Sequence, residues 1–187
     1  GSITVASGKL VRTGTGDITL AARRDINLLD RAVVYTAGHD DTAPFYASSS
    51  TTGVPTFQRL GAGDISAAGS RAYYHTGGGD LKINAGENII AGVAGDSATG
   101  ELTDWLMHHR KGFDSTQWWS RIASFQQGIA AFGGGDVSVQ AGASISNLAV
   151  AIPTNGRVPG RAGETRDDLA RINGGGDLSV EAGQSIN

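Results

Sequence analysis

Short runs of alternating apolar and polar residues recur along this chain. Apolar side chains occupy every second position at 18–20, 81–83 and 137–139. A period of two is typical of β-strands that have one buried face. Glycine together with Asp, Asn or Ser separates the runs and supplies the tight turns that short strands need. The pattern therefore predicts a fold made of many short strands.

A repeated phrase of glycine, aspartate and an apolar residue precedes these strands. It occurs five times, with its aspartates at Asp17, Asp64, Asp80, Asp136 and Asp177. Three copies continue alike, with Ala-Gly and then Ile, at 85–89, 141–145 and 182–186. Such self-similarity indicates a repeat architecture. Two or three short strands per repeat, stacked about 4.8 Å from the next repeat, predict a parallel β-helix, a solenoid with inward aliphatic ladders.

The uneven spacing of the aspartates predicts insertions that leave the solenoid on its outside. We expect irregular loops at about 37–60 and about 151–173, the second with a short helix. The insertion at about 94–132 is expected to be helical, because its apolar residues recur at helical spacing. These residues are Leu102, Trp105, Leu106, Trp118, Ile122, Phe125 and Ile129. The prediction is an all-β fold with a helical insertion, in which 1–187 is one β-helix segment of a longer protein.

Composition narrows the function classes. The chain has 29 glycines in 187 residues but is 39% hydrophobic, so it is neither a collagen nor a disordered linker. A net charge of -3 gives no attraction to nucleic acid, and no apolar run is long enough to cross a membrane. There is no cysteine, so a thiolate nucleophile and a thiolate metal site are both excluded. We expect neither a nucleic-acid partner nor membrane insertion.

The last copy, Gly-Gly-Gly-Asp-Leu-Ser-Val-Glu-Ala-Gly-Gln-Ser-Ile at 174–186, resembles large secreted exoproteins of the filamentous haemagglutinin type. The other repeat segments share the resemblance. It implies a right-handed parallel β-helix that leaves a Gram-negative bacterium through an outer-membrane two-partner-secretion transporter and remains secreted or at the cell surface. We expect a stiff adhesive shaft, without enzymatic activity or cofactor, that binds an unknown host, glycan or biofilm-matrix ligand. The alternative is a carbohydrate-active or calcium-binding β-helix or β-roll module.

The five aspartates of the repeated phrase are the first candidate site residues. Stacked repeats bring carboxylates close together, and calcium prefers oxygen clusters. An aspartate that follows glycine also accepts backbone N–H bonds at its own turn. The calcium-binding nonapeptide needs a tandem nine-residue repeat, which is missing from this sequence. We therefore predict a structural corner role for these aspartates.

Other polar residues support catalysis or metal binding less well. His108 and His109 are adjacent, and neighbours on a helix point about 100° apart, so both rarely bind one ion. The paired carboxylates at 40–41 and 167–168 are the residue type that glycoside hydrolases use. Fold analogy alone does not make an enzyme, however. We predict no catalytic residue and no metal site.

All three tryptophans lie in the insertion at about 94–132. Aromatic residues are enriched at the anchors of protein interfaces. The candidate partner-binding residues are accordingly Trp105, Trp118, Trp119 and Phe125. A small core packed on the outside of the shaft is the competing interpretation of the same residues.

Overall fold

A computed structural model describes residues 1–40, 56–59, 64–66, 74–92, 105–109, 116–158 and 171–187. Their regular structure is mainly short β-strands separated by turns, and a short 3-10 helix spans Ile122–Ser124. The fold of the described residues is thus all-β, as the alternation of apolar residues predicts.

The strands are short, with two to five residues each. In chain order they are β1 (Ile3–Val5), β2 (Leu10–Thr13), β3 (Ile18–Ala22), β4 (Ile26–Leu28), β5 (Val33–Thr36), β6 (His39–Asp40), β7 (Thr56–Arg59), β8 (Asp64–Ser66), β9 (His75–Thr76), β10 (Leu81–Ala85), β11 (Ile89–Ala91), β12 (Leu106–His109), β13 (Thr116–Ser120), β14 (Gly128–Ala131), β15 (Val137–Ala141), β16 (Ser144–Ser146), β17 (Val150–Ala151), β18 (Thr154–Val158), β19 (Arg171–Gly174), β20 (Leu178–Ala182) and β21 (Ser185–Ile186).

Three parallel sheets, which we call the array, contain the repeats. The first sheet has the order β3-β10-β15-β20, the second β1-β4-β11-β16-β21 and the third β2-β5-β14-β17. The chain passes from the first to the second to the third sheet through β3, β4 and β5, and again through β15, β16 and β17. Equivalent strands of successive repeats therefore lie side by side.

Strand register preserves the repeat position by position. Leu81 pairs with Ile18 on one side and with Val137 on the other, and Val137 pairs with Leu178. Because side chains alternate between the two faces of a strand, this register keeps every apolar residue on one face. Lys82, next to Leu81, is exposed on the opposite face.

The inward side chains of all three sheets form one aliphatic core. Its buried members are Val5, Ile18, Ile26, Leu28, Ala32, Val34, Leu81, Ile83, Ala85, Ile89, Ala91, Ile129, Ala131, Val137, Val139, Ala141 and Ile145. Burying an aliphatic side chain of this size contributes about 1.5–3 kcal/mol, so the stacked ladders supply most of the driving force for folding.

A fourth sheet is antiparallel and combines segments from all three insertions. Its order is β8-β7-β12-β13-β18-β19, and we call it the insertion sheet. Strand β7 comes from the first insertion, β12 and β13 from the second, and β18 and β19 from the third, while β8 belongs to the second copy of the repeated phrase. Segments that we expected to leave the array separately thus join into one sheet. A two-stranded pair, β6 with β9, lies beside the first insertion.

The helical insertion is the clearest error of the sequence analysis. Among the described residues, Leu106–His109 and Thr116–Ser120 are antiparallel strands, and Gly128–Ala131 is a strand of the third parallel sheet. All four residues of that last strand are buried. A short run that is buried on both faces has no period that separates strand from helix, so Ile129 matched a helical stripe by chance.

Strands also replace part of the expected loops. Thr56–Arg59 lies in the loop expected at about 37–60, and Thr154–Val158 and Arg171–Gly174 lie in the region expected at about 151–173. The expected short helix at 164–171 lies outside the described residues except for its last residue, which begins β19.

The second copy of the repeated phrase is not part of the array. Asp64 begins β8, which pairs with β7 in the insertion sheet, whereas β10 lies directly beside β3 in the first parallel sheet. We expected all five copies to stack in one solenoid, and for the second copy this expectation is wrong. The phrase specifies a turn followed by a strand, and that local structure suits a parallel or an antiparallel sheet equally well.

Candidate functional site

Four of the five predicted aspartates form a ladder along one corner of the array. The Asp17 carboxylate accepts the backbone N–H of Asp80 at 2.9 Å. Asp80 in turn accepts the N–H of Asp136 at 2.9 Å, and Asp136 accepts the N–H of Asp177 at 2.8 Å. These three carboxylates thus each bond to the next repeat, whereas the sequence predicted a bond within the aspartate's own turn.

The glycine before each aspartate permits this close approach. A Cβ on Gly79 would lie within 3.0 Å of the backbone of Gly16, and a Cβ on Gly176 would collide in the same way with Gly135. Real Cβ atoms do not approach other backbone atoms this closely, so only glycine allows the repeats to stack here. At Gly16, by contrast, a Cβ would meet nothing within 4 Å.

A second polar ladder follows the turn between the first and second sheets. Asp25 accepts hydrogen bonds from Ser2 Oγ at 3.2 Å and from Asn88 Nδ2 at 3.0 Å. The Asn88 side-chain oxygen accepts the N–H of Ser144 at 3.3 Å, and Ser185 Oγ donates to Ser144 Oγ at 3.1 Å. This second ladder was not predicted from the sequence. The pattern that indicates it is a polar residue at a fixed distance after each Ala-Gly.

Asp25 is the charged member of this second ladder. The side-chain hydrogen bond from Asn88 is the main reason why the pKa of Asp25 lies below its ordinary value of 3.8. Partial desolvation opposes the shift, while the Asn88 backbone N–H, the Ser2 hydroxyl and the nearby Arg24 charge add to it. The ionised carboxylate is therefore the form that this corner stabilises.

The ladders hold carboxylates at neighbouring repeats, but in the part of the chain that the structure describes no group of three or more His, Cys, Asp or Glu residues has the spacing of a metal site. Asp64 lies in β8, away from the other four aspartates. Hydrogen bonding to main-chain N–H groups uses Oδ1 of Asp17, Asp80 and Asp136. The arrangement joins repeats to one another.

Three of the four predicted partner-binding aromatics are buried, and two of them, Trp105 and Phe125, lie in a second core between the insertions and the third parallel sheet. Trp105, Trp119 and Phe125 are 3%, 1% and 6% exposed. Phe125 packs edge to face against Trp105, with ring centroids 5.2 Å apart, and against Phe132 at 5.3 Å. Because a binding anchor must be exposed, these three residues favour the interpretation of a core packed on the array. Trp118 is only partly buried.

The second core covers the outer face of the third parallel sheet. Val33 and Tyr35 of β5, with Ala130 of β14, point into it, whereas Val34 and Ile129 point into the aliphatic core. Alternation along these two strands therefore buries both faces of the sheet at β5 and β14.

Among the described residues, the structure contains no helix with the length and hydrophobicity that a membrane span requires.

Gln127 forms hydrogen bonds from the second insertion to two repeats of the array. Its side-chain oxygen accepts the N–H of Arg31 at 2.8 Å, and its Nε2 donates to the carbonyl of Gly92 at 2.7 Å. Arg31 has a φ of 55°, which places its backbone in the left-handed region. The hydrogen bond from Gln127 satisfies a main-chain donor at this strained turn.

An exposed row crosses three strands of the insertion sheet. Trp118 of β13 pairs with Gly156 of β18, and Gly156 pairs with Ile172 of β19. Trp118 Nε1 donates to Thr154 Oγ1 at 3.1 Å, so the indole leans along β18 towards Thr154. Ile172 is 61% exposed. On this face of the insertion sheet Thr154 and Ile172 are exposed and Trp118 is partly exposed, so a partner can reach them.

The histidines and paired carboxylates that were considered for metal binding or catalysis lie in separate strands where the structure describes them. His39 Nε2 lies 3.0 Å from Thr76 Oγ1, and Asp40 lies in β6. His108 and His109 lie in β12. Residues 41, 167 and 168 lie outside the described residues.

Comparison with protein-family models, with curated proteins and with solved structures finds no match to this chain. We therefore infer the function from the geometry of the array and of the insertion sheet.

Proposed function

We propose that this chain is part of the shaft of a secreted bacterial surface exoprotein, a right-handed parallel β-helix whose insertion sheet binds a partner. The in-register stacking of three parallel sheets around one aliphatic core carries the proposal. The repeated passage of the chain from the first to the second to the third sheet supports a closed solenoid. The right-handed sense agrees with the strong general preference of parallel crossovers.

The polar groups of the array support a mechanical role. The two ladders join successive repeats through side chains, in addition to the hydrogen bonds between strands. Repeats that contact mainly their neighbours form a stiff, extended rod. The proposal accordingly assigns no enzymatic activity and no cofactor. Export through a two-partner-secretion transporter and a place at the cell surface rest on the resemblance of the repeated phrase to filamentous haemagglutinin-type proteins.

Recognition is assigned to the outer face of the insertion sheet. Its strands are held on the array by the buried aromatics, among them Trp105 and Phe125. A sheet fixed in this way presents Trp118, Thr154 and Ile172 with little loss of conformational freedom on binding. The ligand class expected is a host-surface, glycan or biofilm-matrix component.

Two exposed isoleucines provide a matched test. Ile172 is 61% exposed on the insertion sheet, and Ile90 is 43% exposed on the second parallel sheet. Matrix proteins, glycans and biofilm polysaccharide are screened for binding to the unmodified protein. Ile172→Glu is then expected to weaken the binding found by at least about tenfold, while Ile90→Glu leaves it unchanged. Circular dichroism checks that both variants fold. Equal effects of the two variants, or no binding in the screen, would reject the display role.

A further inference from the structure

The chain contains two Asn-Gly dipeptides, at 155–156 and 173–174. In such a dipeptide the backbone nitrogen of glycine can attack the side-chain carbonyl carbon of asparagine, since glycine has no Cβ to hinder the approach. The fold places the two dipeptides on paired strands, with Asn155 of β18 directly opposite Asn173 of β19. The same chemistry is thus available twice, in two different surroundings.

Both the side chain and the main chain of Asn155 are restrained by neighbouring residues. It is 3% exposed, and β18 lies between β13 and β19. Its Nδ2 donates to the carbonyl of His75 at 2.8 Å. The attack requires the side chain and the following peptide group to rotate, so this hydrogen bond and the pairing on both sides of β18 would first have to break.

Asn173 is less restrained. Strand β19 has four residues and lies at the edge of the insertion sheet, with a sheet neighbour on one side only. The Asn173 side chain is only partly buried. Edge strands open locally at a lower free-energy cost than central strands. Gly174 has a φ of 78°, a conformation that glycine adopts without strain.

We propose that Asn173 is a site of spontaneous deamidation and that Asn155 is protected. The Gly174 nitrogen forms a bond to Cγ of Asn173, the bond from Cγ to the amide nitrogen breaks, and ammonia leaves with the proton of the Gly174 N–H. Water then opens the cyclic imide at either carbonyl and yields aspartate or isoaspartate. Water is the only co-reactant, and no redox change occurs. This modification is independent of the adhesive function proposed above.

The product would weaken the pairing of β18 with β19. Side chains of directly opposed residues lie close enough to interact across the strands. Asn155 Oδ1 is buried, and no donor among the described residues forms a hydrogen bond to it. Deamidation replaces the Asn173 amide, a potential donor opposite this oxygen, with a carboxylate that adds negative charge. Isoaspartate also adds a carbon atom to the main chain, which disturbs the register. The pairing of β18 with the edge strand β19, which carries Ile172, would therefore weaken as deamidation proceeds.

The test follows both dipeptides in the folded full chain by peptide mass spectrometry during incubation at mildly alkaline pH. Two unstructured peptides with the same flanking residues give the intrinsic rates. Relative to its own peptide, Asn173 is expected to react at least about tenfold faster than Asn155, because the opening free energies differ. Asn173→Gln should remove the reaction at 173 and leave Asn155 unreacted. Equal relative rates, or faster reaction at Asn155, would overturn the proposal.

Discussion

The array and the insertion sheet are both β-structure, yet they are built in different ways. The array pairs parallel strands that carry equivalent residues, such as Leu81 beside Val137. The insertion sheet pairs antiparallel strands that have no residue pattern in common, such as β13 beside β18. In the array the position in the repeat decides which face of the sheet a residue takes in every copy. In the insertion sheet two of the pairings, β7 with β12 and β13 with β18, join strands from different insertions.

The two regions are also stabilised differently. Aliphatic side chains and polar ladders hold the array. An aromatic core with edge-to-face contacts joins the insertions to its third sheet. Substitutions inside the array should therefore act through the repeat, whereas substitutions in the aromatic core should act on the junction between the two regions.

The largest effect is expected for a charge in the aliphatic ladder. Val139 is 1% exposed, whereas Ser138 on the same strand is only partly buried. Val139→Asp should destabilise the protein by about 3–5 kcal/mol, because an unpaired carboxylate would be buried. Ser138→Asp should change the stability little, as it faces solvent beside Lys82. Urea unfolding measures both, and similar midpoints for the two variants would refute the assigned register.

The next effect tests the junction. Phe125→Ala removes a ring that contacts Tyr35, Trp105 and Phe132 and should cost about 3 kcal/mol. Calorimetry should also show that the unmodified protein unfolds in one transition and that the variant unfolds in two, since the insertion sheet loses its attachment. Ala123→Gly, in the same segment but exposed, is the control. A change below about 1 kcal/mol for Phe125→Ala would contradict the packing.

A smaller effect is expected within the aspartate ladder. Asp136 accepts the N–H of Asp177, whereas among the described residues no donor bonds to the Asp177 carboxylate at the end of the ladder. Asp136→Ala should destabilise by about 1 kcal/mol, the net value of one hydrogen bond. Asp177→Ala should be nearly silent in the same urea titration. Equal losses for the two variants would mean that the carboxylates act in another way.

Much of the array could be predicted from the sequence, because its signal is local and repeated. Alternation at 81–83 and 137–139 specifies strands, and the glycine before each aspartate marks a turn. The role of the carboxylates between repeats follows only from stacking. Asp64 has the same local signal but lies in the other sheet, where β8 pairs with β7, because the phrase specifies a strand and not its partner.

The insertion sheet could not be predicted in this way. Two of its pairings, β7 with β12 and β13 with β18, join segments that lie far apart in the chain, and no local pattern identifies these partners. Trp105 and Phe125 fit a helical stripe as well as they fit the core that they form. The fully buried run at 128–131 shows the same ambiguity, because tertiary packing on both sides removes the alternation that would identify a strand.

The smallest effect is the acid response of the second ladder. The pKa of Asp25 is lowered by folding, so its contribution to stability is fully present above 3.8 and is lost as the pH falls through the lower folded value. Asp25→Asn should therefore be less stable than the unmodified protein near neutral pH, with the difference shrinking below pH 3.8. Urea midpoints across this range measure it. A difference that grows in acid would contradict the sign.

The central claim is that successive repeats stack as parallel strands in register. The chain has no cysteine, so spin labels can be attached at introduced cysteines alone. Lys82 pairs with Ser138, and Ser138 pairs with Ser179, all on the outer face of the first sheet. Labels at 82 and 138 should show strong dipolar broadening, as their strands lie about 4.8 Å apart, and labels at 82 and 179 clearly weaker broadening at about twice that distance. Broadening that is absent from the first pair, or equal in both, would contradict the stacked array.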